Sequence, residues 1–124
     1  MIERKDLKNG TEIAGIYREG YATEGIVVPM VIKKVTKDYI IATKKGCNDN
    51  YKFIGKDLLY ESLRYSRYQK FNLFLGTVKE AEKFDKQRAE NESLYSNNQE
   101  LILSKLPYLS KEDLEIIINI IKKY

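Results

Sequence analysis

The stretch that decides the fold runs from Gly25 to Val35 and reads GIVVPMVIKKV. β-Branched residues at this density are typical of a strand in a pleated sheet. Pro29 lies inside the stretch and has no amide hydrogen to donate to a ladder, so we expect a sheet edge or a bulge there. The stretch therefore predicts a protein built on a β-sheet.

Further short strands flank this stretch on both sides. They are predicted at Thr11–Tyr17, Tyr39–Thr43, Tyr51–Ile54 and Lys70–Leu75. Gly15, inside the first of them, indicates a bulge or a close backbone approach. Strands joined by short turns form antiparallel meanders, which usually curl into a small barrel that removes their edges. We therefore predict an SH3-like antiparallel barrel of four to five strands over residues 1–76, with Tyr60–Phe71 as a long connection.

Residues 77–124 have helical patterns. Thr77 and Glu80 form a capping box that begins one helix, and Ser110 caps a second. The first helix either breaks near Ser96–Asn98 or continues to Leu106, and Pro107 ends it in both cases. The sequence thus predicts an α+β protein, a single domain of residues 1–124 in which a C-terminal helical hairpin follows the barrel.

Composition limits the classes of function. Net charge is +4, and the excess lies in residues 1–77, which carry 14 Lys or Arg against 9 Asp or Glu. This imbalance favours an acidic partner. Cys47 is the single cysteine, which we interpret as a loop thiol typical of a reducing compartment. No stretch has the length of a membrane span or the pattern of a secretory signal, so we expect a cytoplasmic protein with no membrane partner.

The absence of histidine excludes the common nucleophile pairs and most zinc sites. Carboxylates could still act alone, and the acidic residues of the first helix are candidates for metal ligands. They are Glu80, Glu82, Asp85, Glu90 and Glu92. We interpret them instead as a solvated helix face, supported by the Glu82–Lys86 spacing. We predict no metal, no cofactor and no catalytic residue.

The segment Tyr60–Phe71 interleaves cations with aromatic rings. Its candidate binding residues are Tyr60, Arg64, Tyr65, Arg67, Tyr68 and Lys70, and Lys44 and Lys45 could extend the patch. Arg and Lys neutralise phosphates while Tyr rings stack on bases, so a nucleotide or a nucleic acid fits. Tyr and Arg are also frequent in protein interfaces. A third alternative is structural, with the tyrosines covering the barrel end and the cations in water.

The last helix has a continuous apolar stripe. It consists of Leu114, Ile117, Ile118 and Ile121. Such a helix either packs between the barrel and the first helix or pairs with a second copy of the chain. The stripe makes a homodimer one of the predicted assemblies.

Four runs resemble a loose group of small, uncharacterised proteins from phages and prophages of Gram-positive bacteria. The runs are Lys5–Gly10, Phe71–Leu75, Thr77–Glu82 and Leu109–Ile117. Proteins of that group are built as a small barrel plus a helical hairpin. The resemblance implies a viral accessory role, such as disarming a host defence, and it implies no catalytic residue.

The leading hypothesis is a non-enzymatic, phage-type accessory protein that binds a host protein or nucleotide in the bacterial cytoplasm and inhibits or sequesters it. The alternative is a small β-barrel that binds nucleic acid. A third hypothesis, a carboxylate-dependent enzyme, stays open because carboxylates need no histidine.

Overall fold

The computed structural model describes residues 1–20, 22, 24–56, 59–62 and 69–124. The chain forms two compact units, Met1–Glu90 and Asn91–Tyr124. The predicted division at residue 76 comes earlier, because the first turns of the long helix pack on the barrel and belong to the first unit. None of the described helices combines the length and the apolarity that crossing a bilayer requires.

The first unit contains a closed antiparallel β-barrel. Its described strands are β1 (Glu12–Glu19), β2 (Ile26–Val35), β3 (Ile40–Lys44), β4 (Asn50–Lys56), β5 (Leu59–Ser62) and β6 (Gln69–Phe74). Each strand pairs with the next one in sequence, and β1 also pairs with β6, which closes the sheet. The α+β class and the barrel are confirmed, but the predicted number of four to five strands is wrong. The likeness to SH3 domains stays a prediction.

The strand that the sequence prediction missed is β5, which begins one residue before the supposed long connection and ends inside it. Tyr60 lies opposite Gly55 in β4 and opposite Leu73 in β6. The strand has four residues and no run of β-branched side chains, so its local pattern is weak. Pairing with a neighbour on both sides, which is a long-range property, makes it a strand.

Gly15 faces the barrel interior. A β-carbon at this position would stand 3.0 Å from the side chain of Met30 and 3.0 Å from that of Phe71. The predicted close approach is therefore confirmed, and it lies between side chains of the core.

Pro29 lies opposite Ala14 of β1, just outside the β2–β3 ladder, which ends at the pair Met30–Lys44. Its carbonyl accepts a hydrogen bond from the amide of Lys45 at 3.0 Å. In an antiparallel strand, the backbone nitrogen and the carbonyl of one residue point to the same side. The Pro29 nitrogen, which has no hydrogen to donate, therefore points toward β3 at a place where the β2–β3 ladder has already ended. The expected edge or bulge at Pro29 is not found, because β2 has a neighbour on both sides in the closed barrel and its irregularity falls between Ile32 and Lys34. The proline is accommodated because it lies just beyond the end of the β2–β3 ladder.

Two apolar layers hold the first unit together. One fills the barrel with inward side chains from the described strands, among them Ile13, Met30, Phe53 and Phe71. The other lies between the outer face of the sheet and the start of the long helix α1 (Val78–Lys105). It consists of Ala14, Ile16, Phe74 and Ala81, with Val27, Val78 and Phe84 packed beside them. Strand β1 thus contributes to both layers through alternate side chains.

The N-terminal segment packs at one end of the barrel. Leu7, after a short 3-10 helix at Arg4–Asp6, is buried in the barrel core, and Ile2 donates to the Leu75 carbonyl at 3.0 Å. The Arg4 guanidinium donates to the carbonyls of Thr36 and Lys37. These contacts involve the residues that follow β2 and β6, so the segment occupies the end of the barrel where those two strands finish.

The capping box of α1 is confirmed. The Thr77 hydroxyl accepts a hydrogen bond from the Glu80 amide, and the Glu80 carboxylate accepts one from the Thr77 amide, both at 3.1 Å. The helix continues through Ser96–Asn98, which decides for the longer of the two predicted forms, and Pro107 lies in the 3-10 turn that follows it.

The second unit contains the last part of α1 and the helix α2 (Lys111–Ile121). The predicted cap is confirmed, because the Ser110 side chain accepts from the amide of Asp113 at 3.1 Å. Every residue of Asn91–Tyr124 is exposed or half-buried. The pairing of the two helices as a hairpin stays a prediction.

Asp85 joins α1 to the barrel. The sequence places it on a solvated helix face, and this is wrong, because it is 4% exposed. Its carboxylate accepts from the Gly25 amide at 2.7 Å and from Nη2 of Arg88 at 2.9 Å. A β-carbon on Gly25 would come within 2.8 Å of the Ile16 side chain, so this approach depends on glycine.

We expect Asp85→Ala to lower the free energy of unfolding by about 2–3 kcal/mol, because it leaves the Gly25 amide and Arg88 without their buried acceptor. Urea denaturation measures this. The matched control is Glu82→Ala on the same helix, where the side chain is exposed and the change should stay within about 0.5 kcal/mol. Equal losses in the two variants would contradict the assigned role.

Glu80 gives the fold a dependence on pH. The hydrogen bond from the Thr77 amide, with the nearby N-terminal ammonium, lowers the pKa of its carboxyl below the ordinary value. Its contribution is complete above the pKa of the unfolded chain and is lost as pH falls through the lowered pKa of the folded protein. We therefore expect the urea midpoint of Glu80→Gln to fall less on acidification than that of the original protein. Glu82→Gln should follow the original protein, and identical acid profiles for all three would refute this role.

Candidate functional site

Strand polarity brings two of the predicted cations, Lys44 and Lys70, to one end of the barrel. In an antiparallel barrel, the last residues of β1, β3 and β5 lie at the same end as the first residues of β2, β4 and β6. The described basic residues at these terminal positions are Arg18, Lys44 and Lys70, whereas Lys45, which follows β3, pairs with Glu12 at the start of β1. We call this the cationic end. It is opposite to the end occupied by the N-terminal segment.

Arg18 and Lys70 form a cross-strand pair at the cationic end. They are directly opposite each other in the β1–β6 ladder, one step beyond the pair Tyr17–Phe71. Tyr17 and Phe71 pack in the barrel core, so alternation directs Arg18 and Lys70 to the outer face. Opposite residues on one face of an antiparallel pair have β-carbons about 5 Å apart. The closure of the barrel therefore concentrates two positive charges at one place.

The Lys44 side chain lies over two aromatic rings, Tyr51 and Phe71, which we call the aromatic floor. Tyr51 and Phe71 are stacked with their centroids 5.1 Å apart and their planes at 3°. The Lys44 ammonium lies 5.7 Å from the Tyr51 centroid and 5.6 Å from that of Phe71. Each contact of this kind adds about 0.5–1 kcal/mol where the cation is solvated. Both rings are buried, so they support the cation and do not offer their faces to a ligand.

Tyr17 and Glu19 add a neutral donor and a carboxylate at the same end. The Tyr17 hydroxyl donates to Oε1 of Glu19 at 2.9 Å. Burial raises the pKa of this hydroxyl, and the bond to Glu19 raises it further. A tyrosine with a raised pKa keeps its proton at neutral pH, so Tyr17 is suited to hydrogen bonding and not to base catalysis.

The structure separates the predicted binding residues into four groups. Lys70 lies on the outer face at the cationic end, and Lys44 is half-buried over the rings. Lys45 pairs with Glu12 at 2.8 Å, both side chains being more than half exposed. Tyr60 is 2% exposed, so the expectation of a ring available to a ligand is wrong for this residue, which packs in the core. The remaining predicted residues, Arg64, Tyr65, Arg67 and Tyr68, lie outside the described residues.

Sequence reasoning missed Arg18. The run Arg18–Gly20 reads as a turn, whereas β1 extends to Glu19. No local signal marks the residue, because its importance comes from its register with Lys70, which is distant in sequence. Only a correct prediction of the β1–β6 pairing could have identified it.

An acidic cavity lies where α1 meets the β1–β2 connection. It has a volume of about 410 Å³ and is lined by Glu24, Gly25, Val27, Glu82, Asp85 and Lys86. Asp85 is already engaged by the Gly25 amide and Arg88, which fixes the helix and leaves the carboxylate poorly placed as a general base. In the part of the chain that the structure describes, no group of three or more acidic or cysteine side chains has the geometry of a metal site. Cys47 is exposed.

The predicted self-association stripe lies on the surface of the second unit. Leu114, Ile118 and Ile121 are exposed and Ile117 is half-buried. Self-association through this stripe stays a prediction.

Comparisons with known proteins give no relative: no protein-family model, no curated protein and no solved structure matches this chain.

The position of Lys44 over the two rings predicts an upfield ring-current shift of its side-chain methylene protons. Phe71→Leu removes one ring and keeps an apolar side chain, so we expect this shift to shrink. The internal control is Lys52, whose ammonium lies 4.2 Å from the Tyr39 centroid, away from the replaced ring. NMR of both lysines measures the effect. Lys44 resonances that do not respond would contradict this arrangement.

Proposed function

We propose that this protein is a non-enzymatic binding protein that holds an acidic host component at the cationic end of its barrel. The observation that carries the proposal is the cross-strand pair of Arg18 and Lys70 on the outer face at the end opposite to the N-terminal segment, with Lys44 on the inner face of the same end. Charges collected on one surface attract an oppositely charged partner and speed its association. The basic excess of residues 1–77 supports the same choice.

The chemistry at this end favours binding over catalysis. Lys44 is placed over rings, Tyr17 has a raised pKa, and Glu19 accepts the Tyr17 hydroxyl. The chain has no histidine to act as a base or a nucleophile partner. A cation supported by a rigid aromatic floor is suited to ionic recognition of a carboxylate or a phosphate.

The wider role that we propose is that of a phage-type accessory protein. The resemblance of the Phe71–Leu75, Thr77–Glu82 and Leu109–Ile117 runs to small phage and prophage proteins supports it. Such a protein would act in the bacterial cytoplasm and inhibit or sequester a host protein or nucleotide by stoichiometric binding. An SH3-like barrel that is followed along the chain by a helical hairpin belongs to the same proposal.

The second candidate function is binding of nucleic acid. The observation that favours it is the cross-strand pair of Arg18 and Lys70, because Lys70 follows closely in sequence on a run, residues 64–68, that has two more arginines and two tyrosines. Two long cationic side chains whose β-carbons lie about 5 Å apart on the outer face can contact neighbouring phosphates along a single strand. This function predicts binding that weakens steeply with salt.

We expect the double variant Arg18→Glu with Lys70→Glu to lose binding of the acidic partner, because it reverses both charges of the cross-strand pair. The matched control is Lys79→Glu with Lys83→Glu, which changes the net charge equally on exposed positions of α1. The measurement compares capture from a Gram-positive host lysate, and titration with nucleoside triphosphates and a single-stranded oligonucleotide, for the three proteins.

Repeating these measurements over a range of salt concentrations separates the two functions. Retention of one host protein or nucleotide at physiological salt, lost only in the Arg18/Lys70 variant, supports the accessory role. Binding of the oligonucleotide alone, with a steep salt dependence, supports the nucleic-acid function. Equal behaviour of the two double variants would refute a specific role for the cationic end.

A further inference from the structure

The second unit, Asn91–Tyr124, exposes a large amount of apolar side chain. Its exposed large apolar residues are Leu94, Tyr95, Leu101, Ile102, Leu103, Tyr108, Leu114, Ile116, Ile118, Ile120, Ile121 and Tyr124. Ile121 alone is 66% exposed and Ile118 is 41% exposed. So many exposed apolar side chains in one short unit indicate that part of this surface is an interface.

Helix α2 presents part of this surface as an ordered stripe. Successive residues turn by about 100° around a helix, so Leu114, Ile117, Ile118 and Ile121 fall on one face. Ile116 falls on the far side of the same helix. Isolated helices shorter than about 12–15 residues are marginal in water, and α2 has 11. The stripe therefore needs a covering surface to make α2 stable.

We propose that a second copy of this chain covers the stripe, with the two α2 helices packed antiparallel about a two-fold axis. The two ends of α2 have opposite net charges: Glu112, Asp113 and Glu115 outnumber Lys111 near its start, and Lys122 and Lys123 follow its end. An antiparallel pair places each acidic end beside the basic end of the other copy and also opposes the helix dipoles. A parallel pair would place like charges together.

The helical wheel identifies the ion pair that specifies this arrangement. Glu115 and Lys122 border the apolar stripe on the same side. Around a two-fold axis near the middle of the stripe, Leu114 faces Ile121 of the other helix, and Glu115 comes within reach of Lys122. The pair forms twice in the dimer.

The net charge of the second unit does not oppose self-association. The unit has five acidic and four basic residues, so its net charge is small.

The first test is the mass of the full chain by sedimentation equilibrium over a wide concentration range. We expect a dimer of about 29 kDa, twice the 14.5 kDa of the chain. Ile118→Asp should give a monomer, because it places a charge in the stripe. Ile116→Asp is the matched control, the same substitution on the other side of the same helix, and it should remain dimeric. A monomeric original protein, or equal behaviour of the two variants, would overturn the proposal.

The second test does not depend on how well Ile118→Asp folds. Glu115→Lys and Lys122→Glu should each weaken the dimer several-fold, because each breaks two exposed ion pairs. The double variant restores opposite charges across the axis and should recover the original dissociation constant. Additive weakening in the double variant would rule out the antiparallel pairing, since the two residues are too far apart in one helix to pair with each other.

Discussion

Strand β1 makes the central contact of the first unit, because it pairs with β2 on one side and with β6 on the other. The β1–β6 ladder closes the sheet and leaves neither strand as a free edge. The same ladder sets Tyr17 opposite Phe71 inside the barrel and Arg18 opposite Lys70 outside it. The β1–β6 register therefore determines both which rings face the barrel interior and which cations face outward. A slip of one residue would turn the cations inward and the rings outward.

The other contacts of the unit depend on this closure. Ala14 and Ile16, on the outer side of β1, provide the surface on which the start of α1 packs. Asp85 then fixes the helix to the Gly25 amide, at the close approach that glycine permits. The N-terminal segment packs at the end of the barrel where β2 and β6 finish. The opposite end carries Arg18 and Lys70 on its outer face and Lys44 on its inner face.

Local sequence patterns predicted those elements whose causes are local. The β-branched density of Gly25–Val35 identified β2, and the Thr77–Glu80 capping box identified the start of α1. The errors concern residues whose environment is made by distant parts of the chain. Tyr60 became a core residue through pairing with two other strands, and Asp85 became buried through a backbone amide of the β1–β2 connection. The candidate site was predicted only in part for the same reason, since Lys44 and Lys70 are recognisable as cations while Arg18 acquires its place from the register.

The claim that the cationic end is the binding surface is tested most directly by amide chemical shifts of the labelled full chain. Titration with an acidic peptide, a nucleoside triphosphate and a short single-stranded oligonucleotide covers the proposed partner chemistries. We expect the ligand that binds to shift the amides of Arg18, Lys44 and Lys70, with little change in Asn91–Tyr124. Shifts confined to Asn91–Tyr124, or no shift with any of the three ligands, would contradict it.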